Sequence, residues 1–182
     1  MKQCLKFFLI GLLLPPFGAM AQRSDVSVGV APVHVLDGFG GNAQLNFHHK
    51  MNDFIQASFL VAAAKEVAPK SGVEYPKNNY LFNLGYFTTA YSSPNGGLSL
   101  FIGGGASVGQ ESINNGSPEL EDGSLLLLKG GFVYGGFLSL DLDYFLNDSL
   151  SMSFPINGYY HAGSEIDPAM FAVGIGLRYY LN

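Results

Sequence analysis

The segment from Phe137 to Phe154 constrains the fold most, because apolar and polar residues alternate along it with a period of two. After Asn147-Asp148 the alternation resumes, and two such runs joined by a tight turn predict a β-hairpin. The apolar face could pack inside a soluble barrel or face lipid on the outside of a membrane barrel. In the first strand, the apolar face carries Leu138, Leu140, Leu142 and Tyr144, and the polar face carries Ser139, Asp141 and Asp143.

The N-terminus has the three parts of a secretory signal peptide. Lys2 and Lys6 precede a short apolar run, and Ala19-Met20-Ala21 supplies a small-x-small cleavage site. The run is too short for a spanning helix, which needs about 20 apolar residues. We therefore expect residues 1–21 to be cleaved as a signal peptide and residues 22–182 to form a single domain.

Composition and motifs argue against several classes of function. The chain has 9 Lys and Arg against 14 Asp and Glu, and a formal net charge of −5. Phosphate binding needs a basic patch, so we expect no direct contact with nucleic acid. Cys4, the sole cysteine, would leave with the signal peptide, which removes disulfides and thiolate metal sites. No P-loop, dinucleotide fingerprint or zinc motif is present, and we expect no cofactor and no small-molecule substrate.

About eight strands can be traced in the mature chain, each near the 9–11 residues that a tilted membrane-crossing strand requires. The predicted strands span residues 25–36, 41–49, 54–64, 79–91, 97–109, the two arms of the hairpin, and 169–181. Their connections alternate between tight turns and longer loops, although the first link, residues 37–40, is short. Such alternation is typical of an up-and-down outer-membrane barrel with short periplasmic turns and longer external loops.

A soluble eight-stranded barrel such as a lipocalin would show the same alternation with the faces inverted. Three features favour the membrane. The polar face is rich in Gly and Ser, charged residues make up only 13% of the chain, and tyrosines lie at strand ends as an interfacial girdle requires. We therefore predict an all-β, up-and-down, antiparallel eight-stranded transmembrane β-barrel. The girdle tyrosines would be Tyr80, Tyr91, Tyr144, Tyr159, Tyr160, Tyr179 and Tyr180.

Three charged residues on the polar faces form the candidate site. The interior of an eight-stranded barrel is filled by side chains, so Asp141 and Asp143 would be buried near Arg178 of the last strand. Unpaired buried charges are costly, which predicts an internal cluster of ion pairs and hydrogen bonds. A proton or ion path is the alternative interpretation of these residues.

Histidines give little support for catalysis. His48 and His49 are adjacent, so they face opposite sides of a strand and cannot share a metal. His161, Ser164 and Glu165 are the residue types that outer-membrane lipid A deacylases use on small barrels. Loop residues of these types also occur together by chance. We expect a polar loop end and no enzyme.

Several segments resemble the TraO family of conjugative transposon transfer proteins, most strongly after about residue 80. The family's Gly-x-Glu-x-Ile-Asn stretch matches Gly109 to Gly116, and its Gly-Val-Gly-Leu-Arg-aromatic close matches Ala172 to Tyr179. Phe132-Val133-Tyr134-Gly135-Gly136 and the turn Leu146-Asn147-Asp148 add to the likeness. The resemblance implies a component of a mating apparatus, and the family offers no known catalytic residues to carry over.

We therefore expect a barrel in the outer membrane of a Gram-negative bacterium that acts structurally in conjugative transfer. Its partners would be outer-membrane lipid and other envelope proteins of the transfer apparatus, contacted through the loops Lys65–Asn78 and Gln110–Lys129. One alternative is a generic small outer-membrane protein of the OmpX or OmpA kind, used in adhesion or envelope stability. A barrel enzyme that modifies lipid A is a less favoured alternative.

Overall fold

The computed structural model describes residues 25–49, 53–68, 72–120, 122–126, 128 and 130–181. The predicted signal peptide, residues 1–21, lies outside the described residues. Within the described ranges the only helical segment is a single 3-10 turn, Asn114–Gly116, and no helix is long and apolar enough to cross a membrane. The strands are β1 (Val26–Val35), β2 (Gly38–His48), β3 (Asp53–Val67), β4 (Glu74–Ser92), β5 (Leu98–Ile113), β6 (Phe132–Phe145), β7 (Leu150–Ala162), β8 (Ala169–Gly174) and β9 (Gly176–Leu181).

The strands form one closed antiparallel sheet. Each of β1 to β7 pairs with the next strand along the chain, and β8 and β9 are the two halves of an eighth barrel strand. Both halves pair with β7 on one side and with β1 on the other, which closes the ring. Closure gives each of the described strands a partner on both sides, as a barrel in lipid requires. The predicted eight-stranded up-and-down barrel is confirmed.

The interruption between β8 and β9 has a local cause. Gly174 pairs with Val33 of β1, next to Pro32, and Pro155 of β7 lies against Gly174 from the other side. Proline has no N–H to donate to a ladder, so both neighbouring strands lack a donor at this level. The backbone N–H of Ile175 still bonds the carbonyl of Pro32, at 3.3 Å, and the strand resumes at once.

The alternation of the sequence becomes an alternation between lipid-facing and interior side chains. Leu138 is 76% exposed on the outer wall, whereas Asp143 is fully buried. The leucine face of the hairpin therefore points outward, as predicted. Two of the seven predicted girdle tyrosines were placed wrongly, since Tyr159 and Tyr180 point into the interior and are buried. Tyr159 precedes the outward-facing Tyr160, and Tyr180 follows the outward-facing Tyr179. Neighbouring residues of a strand face opposite sides, so only one tyrosine of each pair can face outward.

The two ends of the barrel differ. At one end, here the turn end, residues 49–52, 93–97 and 146–149 connect the strands. At the other, the loop end, the connections are residues 36–37, 68–73, 114–131 and 163–168. Asp37 adopts a positive φ of 57°, a conformation that Asp tolerates better than most residues, and this allows the short first link.

The first predicted partner-binding loop is mostly strand, and the second begins with strand. The segment Lys65–Asn78 was predicted as a loop, but β3 and β4 continue as a ladder up to the pair Val67 and Glu74. The segment Gln110–Lys129 begins with the last residues of β5, which stay paired with β4 as far as Ile113. The wall formed by β3, β4 and β5 therefore rises above the rest of the rim.

Aromatic side chains fill the middle of the interior. The ring of Phe54 stacks on that of Phe87 at 4.8 Å between centroids, and Phe87 lies 6.4 Å from Phe137. Phe137 continues to Tyr159 at 5.9 Å, and Tyr159 to His161 at 5.6 Å. We call this series of five rings the aromatic column. It connects a polar cluster near the turn end to a second polar cluster near the loop end.

Candidate functional site

The first polar cluster, here the turn-end cluster, is centred on Arg178. The Nη1 of Arg178 donates to Oδ2 of Asp143 at 2.6 Å, and Nη2 donates to Oδ2 of Asp141. The hydroxyl of Tyr180 also donates to Oδ2 of Asp143, at 2.8 Å. Side chains of Arg178 and Asp143 are completely buried, and Asp141 is 2% exposed. The three residues predicted from the sequence are therefore in direct contact inside the barrel.

Alternation explains how these residues meet. Asp141 and Asp143 are two residues apart on β6, so both carboxylates face the interior on the same strand. Arg178 lies on β9, opposite Ser151 of β7, and its side chain reaches across that small residue to β6. The guanidinium also lies 5.6 Å from the ring centroid of Phe54, a cation–π contact with the first member of the aromatic column.

Amide side chains extend the turn-end cluster to the strands on the opposite side of Arg178. Nη2 of Arg178 donates to Oε1 of Gln44 at 3.4 Å, and Gln56 donates to the same oxygen at 2.7 Å. Gln56 also donates to Asn46, and Asn46 to Ser27. Strands β1, β2, β3, β6 and β9 are therefore linked through one network of buried polar groups. Such a network fixes which strands are opposite each other in the closed barrel.

The second polar cluster, here the loop-end cluster, was not anticipated. Nζ of Lys77 lies 3.2 Å from Oε2 of Glu111 and 3.8 Å from a carboxylate oxygen of Glu66. The hydroxyl of Ser164 donates to the same Oε2 of Glu111 at 2.9 Å. Lys77 and Glu111 are almost fully buried, so their attraction is weakly screened by solvent. Ser164 ties the loop of residues 163–168 to the barrel wall.

Hydrophobic residues cover the loop-end cluster. Tyr75 and Ile113, from the raised wall, pack with Ala68 of the β3–β4 loop and with Leu120 and Leu126 of the β5–β6 loop. We call these five buried residues the cap. Partly buried side chains from all three loops pack against it, namely Val73, Leu128 and Ile166. Three connections of the loop end are thus held together by one apolar core outside the barrel interior.

A local turn shapes the tip of the longest loop. The carboxylate of Asp122 accepts hydrogen bonds from the backbone N–H of Ser124 at 2.9 Å and from its hydroxyl at 2.6 Å. These two bonds favour the ionised form and hold the pKa of Asp122 below its ordinary value. The turn brings Leu125 and Leu126 back toward the cap, where Leu126 is buried and Leu125 is exposed.

Geometry separates the residues that suggested a lipid A deacylase. His161 points into the interior and is 5% exposed, and its Nε2 lies 3.0 Å from the hydroxyl of Ser107. Ser164 bonds Glu111 and the carbonyl of Asp167, and Glu165 is exposed on the loop. A lipid acyl chain would contact the outer wall, on the side away from His161. His161 therefore belongs to the packed interior, whereas Ser164 is held by hydrogen bonds at the loop end.

The loop-end cluster escaped the sequence analysis because its charged members were assigned to loops. Lys77 and Glu111 fall inside segments predicted as connections, where charged side chains are expected in water. In the structure both lie on strands and face inward. A signal was present: Tyr75, Lys77 and Asn79 continue the inward positions of β4 with a period of two.

Comparisons with known proteins agree with the geometry. Neisserial surface protein A is 10% identical, with a TM-score of 0.58 over 86% of this chain and 96% of that one. The attachment invasion locus protein Ail of Yersinia pestis is 14% identical, with a TM-score of 0.54 over 89% of this chain and all of that one. The N-terminal β-barrel domain of Pseudomonas aeruginosa OprF is 12% identical, with a TM-score of 0.52 over 87% and 100%.

At these identities the solved structures show a shared fold: this chain has the architecture of small outer-membrane β-barrels. None of the curated proteins compared with the chain matches its sequence significantly. One family model, the conjugative transposon protein TraO, matches residues 23–181. This range contains every described strand, both polar clusters and the cap. The resemblance inferred from the sequence is thereby confirmed, and the chain belongs to the TraO family of conjugative transposon proteins.

Proposed function

We propose that this protein is an outer-membrane component of a conjugative DNA-transfer apparatus in a Gram-negative bacterium, where it acts structurally and not as an enzyme. Membership of the TraO family over residues 23–181 is the observation that carries the proposal. In this role the outer wall contacts membrane lipid and the loop end contacts other envelope proteins of the apparatus. Residue patterns on the wall support the lipid contact, since its exposed side chains are largely apolar.

The organisation of the loop end supports a docking role. Loops that are ordered before binding lose less conformational entropy when a partner binds. Here the cap joins three loops, and Ser164 fastens one of them to Glu111. Docking would therefore use a surface that includes the described loop residues 72–73, 114–120, 122–126 and 163–168. The DNA itself would not pass through this barrel, whose interior is filled by the aromatic column.

The decisive experiment measures transfer frequency. We expect an in-frame deletion of the gene in the donor to reduce transfer to background and a plasmid copy to restore it. Excision of the element serves as the control for steps before DNA export and should be unaffected. Replacing residues 114–131 by a short Gly-Ser turn should abolish transfer while the barrel remains folded. The same replacement of residues 93–97, at the turn end, is the matched control and should leave transfer intact.

The alternatives give different results in the same strains. A role in adhesion or envelope stability would lower cell attachment or detergent resistance in the deletion strain and leave transfer unchanged. A lipid A-modifying activity would change the acyl chains of lipid A, which mass spectrometry detects. Normal transfer by the deletion strain contradicts the proposal.

A further inference from the structure

Four buried oxygen atoms beside Arg178 have no hydrogen-bond partner among the described residues. They are the hydroxyl oxygens of Ser151 and Ser153 and the Oδ1 atoms of Asp141 and Asp143. None of these four residues is more than 1% exposed. Burial removes the water that such oxygens would otherwise bind, and buried polar atoms are rarely left without a partner. The four oxygens therefore point to a ligand inside the barrel.

The four residues occupy neighbouring inward positions of β6 and β7. Asp143 pairs directly with Ser153, and Ser151 follows two residues away on the same face of β7. Side chains that are directly opposite each other in an antiparallel ladder have Cβ atoms about 4.5–5.5 Å apart. Arg178 binds Oδ2 of both aspartates, which leaves Oδ1 of Asp141 and of Asp143 for a further ligand. Two carboxylate oxygens and two hydroxyl oxygens thus lie together in one small region.

Charge balance decides what kind of ligand fits this region. The two carboxylates, Asp141 and Asp143, are joined by one guanidinium, that of Arg178, so the three ionised groups have a net charge of −1. Tyr180 contributes a neutral hydroxyl, which donates to Asp143. An unbalanced charge in a fully buried place is strongly unfavourable. A ligand with a single positive charge makes the whole group neutral.

We propose that the turn-end cluster binds one alkali-metal cation, Na⁺ or K⁺, through Oδ1 of the two aspartates and the hydroxyl oxygens of Ser151 and Ser153. Hard cations take oxygen ligands, above all carboxylates. A proton shared by the aspartates balances the charge but leaves the serine oxygens unbound. Water binds the four oxygens, and also the Nε–H of Arg178, but leaves the charge unbalanced. An alkali cation accounts for both observations.

A divalent cation does not fit the same region. Together with Arg178 it would place three positive charges against the two carboxylates. The described part of the chain also contains no group of three or more His, Cys, Asp or Glu residues that could hold a metal ion. Two carboxylates beside a guanidinium are therefore suited to a singly charged ion.

Aromatic rings enclose the site. The rings of Phe145 and Tyr180 lie 5.3 Å apart, centroid to centroid, and the ring of Phe54 lies 5.6 Å from the guanidinium of Arg178. All three aromatic residues are buried. A cation held among them is bound by the folded barrel and not by the unfolded chain. Its binding is therefore linked to folding, and the stability of the barrel rises with the concentration of the ion.

Urea unfolding of the full-length mature protein in phosphatidylcholine vesicles tests the proposal, with heat-modified gel mobility as the readout. NaCl or KCl replaces tetramethylammonium chloride at constant ionic strength, so that only the concentration of the small cation changes. Tetramethylammonium is too large to be coordinated by these oxygens. Above the dissociation constant, we expect the unfolding equilibrium constant to fall about tenfold for each tenfold rise in the alkali cation, the dependence for one bound ion.

Two serine variants locate the ion. Ser153→Ala removes one ligand oxygen without changing any charge, and should shift the onset of stabilisation to a roughly tenfold higher concentration, as the loss of one favourable contact does. Ser107→Ala is the matched control, because it removes a buried hydroxyl that bonds His161 near the loop end. Its dependence on the cation should be that of the wild type. If Ser153→Ala does not fold, Ser151→Ala replaces it with the same expected shift.

Two results overturn the proposal. The first is an unfolding constant that does not depend on either alkali cation, which would assign the charge balance to a proton on the aspartates or to His48, whose ring lies 5.5 Å from that of Tyr180. The second is the same onset in the Ser153 or Ser151 variant and in Ser107→Ala, which would place the ion elsewhere on the protein. A dependence on Na⁺ or K⁺ that shifts only in the variants of β7 supports the site.

Discussion

Arg178 and Asp143 form an ion pair that crosses an intervening strand: they lie on β9 and β6, with β7 between them, and their Nη1 and Oδ2 atoms are 2.6 Å apart. Since Ser151 and Ser153 are the inward residues of β7 at this level, nothing large separates the two charges. The pair therefore joins strands that share no ladder. It stabilises the closed barrel against separation of β6 from β9.

Replacing Arg178 by leucine should destabilise the barrel strongly. The variant leaves the carboxylates of Asp141 and Asp143 buried without the guanidinium, which typically costs about 3–5 kcal/mol. Urea unfolding in phospholipid vesicles, monitored by heat-modified gel mobility, measures the decrease in the free energy of unfolding. Adding Asp141→Asn and Asp143→Asn to Arg178→Leu removes the unbalanced charge and should recover much of the stability. An unchanged free energy of unfolding in Arg178→Leu would rule out a stabilising role for the pair.

The two lysine ion pairs on the raised wall should make very different contributions to the free energy of unfolding. Lys77 and Glu111 are 8% and 3% exposed, whereas Lys65 and Glu74 are 72% and 60% exposed. Lys77→Met leaves a buried carboxylate and should lower the free energy of unfolding by about 3 kcal/mol. Lys65→Met, the matched control, should cost less than about 1 kcal/mol because solvent screens the exposed pair. Comparable losses in the two variants would contradict the burial of the loop-end cluster.

Adjacent leucines of the longest loop provide a test of the cap. Leu126 is 9% exposed within the cap, and Leu125 is 73% exposed beside it. Leu126→Asp places a charge in the apolar core and should weaken the cap by about 2 kcal/mol, roughly a thirtyfold rise in the open fraction. Limited proteolysis within residues 114–131 should accelerate accordingly. Leu125→Asp should be cleaved at the wild-type rate, and acceleration there would mean that the cap is not the element being opened.

Gly103, which faces the Phe87 ring of the aromatic column, should not tolerate a side chain. A Cβ at Gly103 would fall against the buried ring of Phe87, which is itself packed on Phe54 and cannot move away freely. Gly103→Ala should therefore cost about 1–3 kcal/mol through overpacking. Gly41→Ala is the control, because no atom lies within 4 Å of its Cβ position and the strand should keep or gain up to about 1 kcal/mol. The two variants are compared by urea unfolding, and equal stabilities would contradict the tight packing at Phe87.

Local alternation predicted the faces of the strands correctly. Leu138 and Asp141 were assigned to opposite sides from their spacing alone, since a period of two is a property of the extended backbone. The same rule requires one member of each pair Tyr159-Tyr160 and Tyr179-Tyr180 to face the interior, and in the structure Tyr159 and Tyr180 do so. A position near a strand end is typical of a girdle tyrosine, but only the residues on the outward face of the strand can reach the membrane interface.

Strand ends and the loop-end cluster depended on distant residues. The ladder that extends β3 and β4 to Val67 and Glu74 forms because the two segments pair with each other, and in the sequence only the β4 segment signals it, through the alternation of Tyr75, Lys77 and Asn79. Glu111 meets Lys77 across β4 and β5 and Ser164 across a further loop. Such contacts follow from the register of the closed barrel, which a single sequence does not contain.

The aromatic column also has a consequence for the cell that carries the protein. A row of packed rings fills the interior between the two polar clusters with apolar atoms, so we expect protons and ions to find no hydrated route along the barrel axis. We therefore expect that many copies of this barrel in the outer membrane leave its permeability to ions unchanged. Planar-bilayer recordings should accordingly detect no unitary conductance from the wild-type protein. Envelope permeability would then be independent of how much of the protein a mating cell produces.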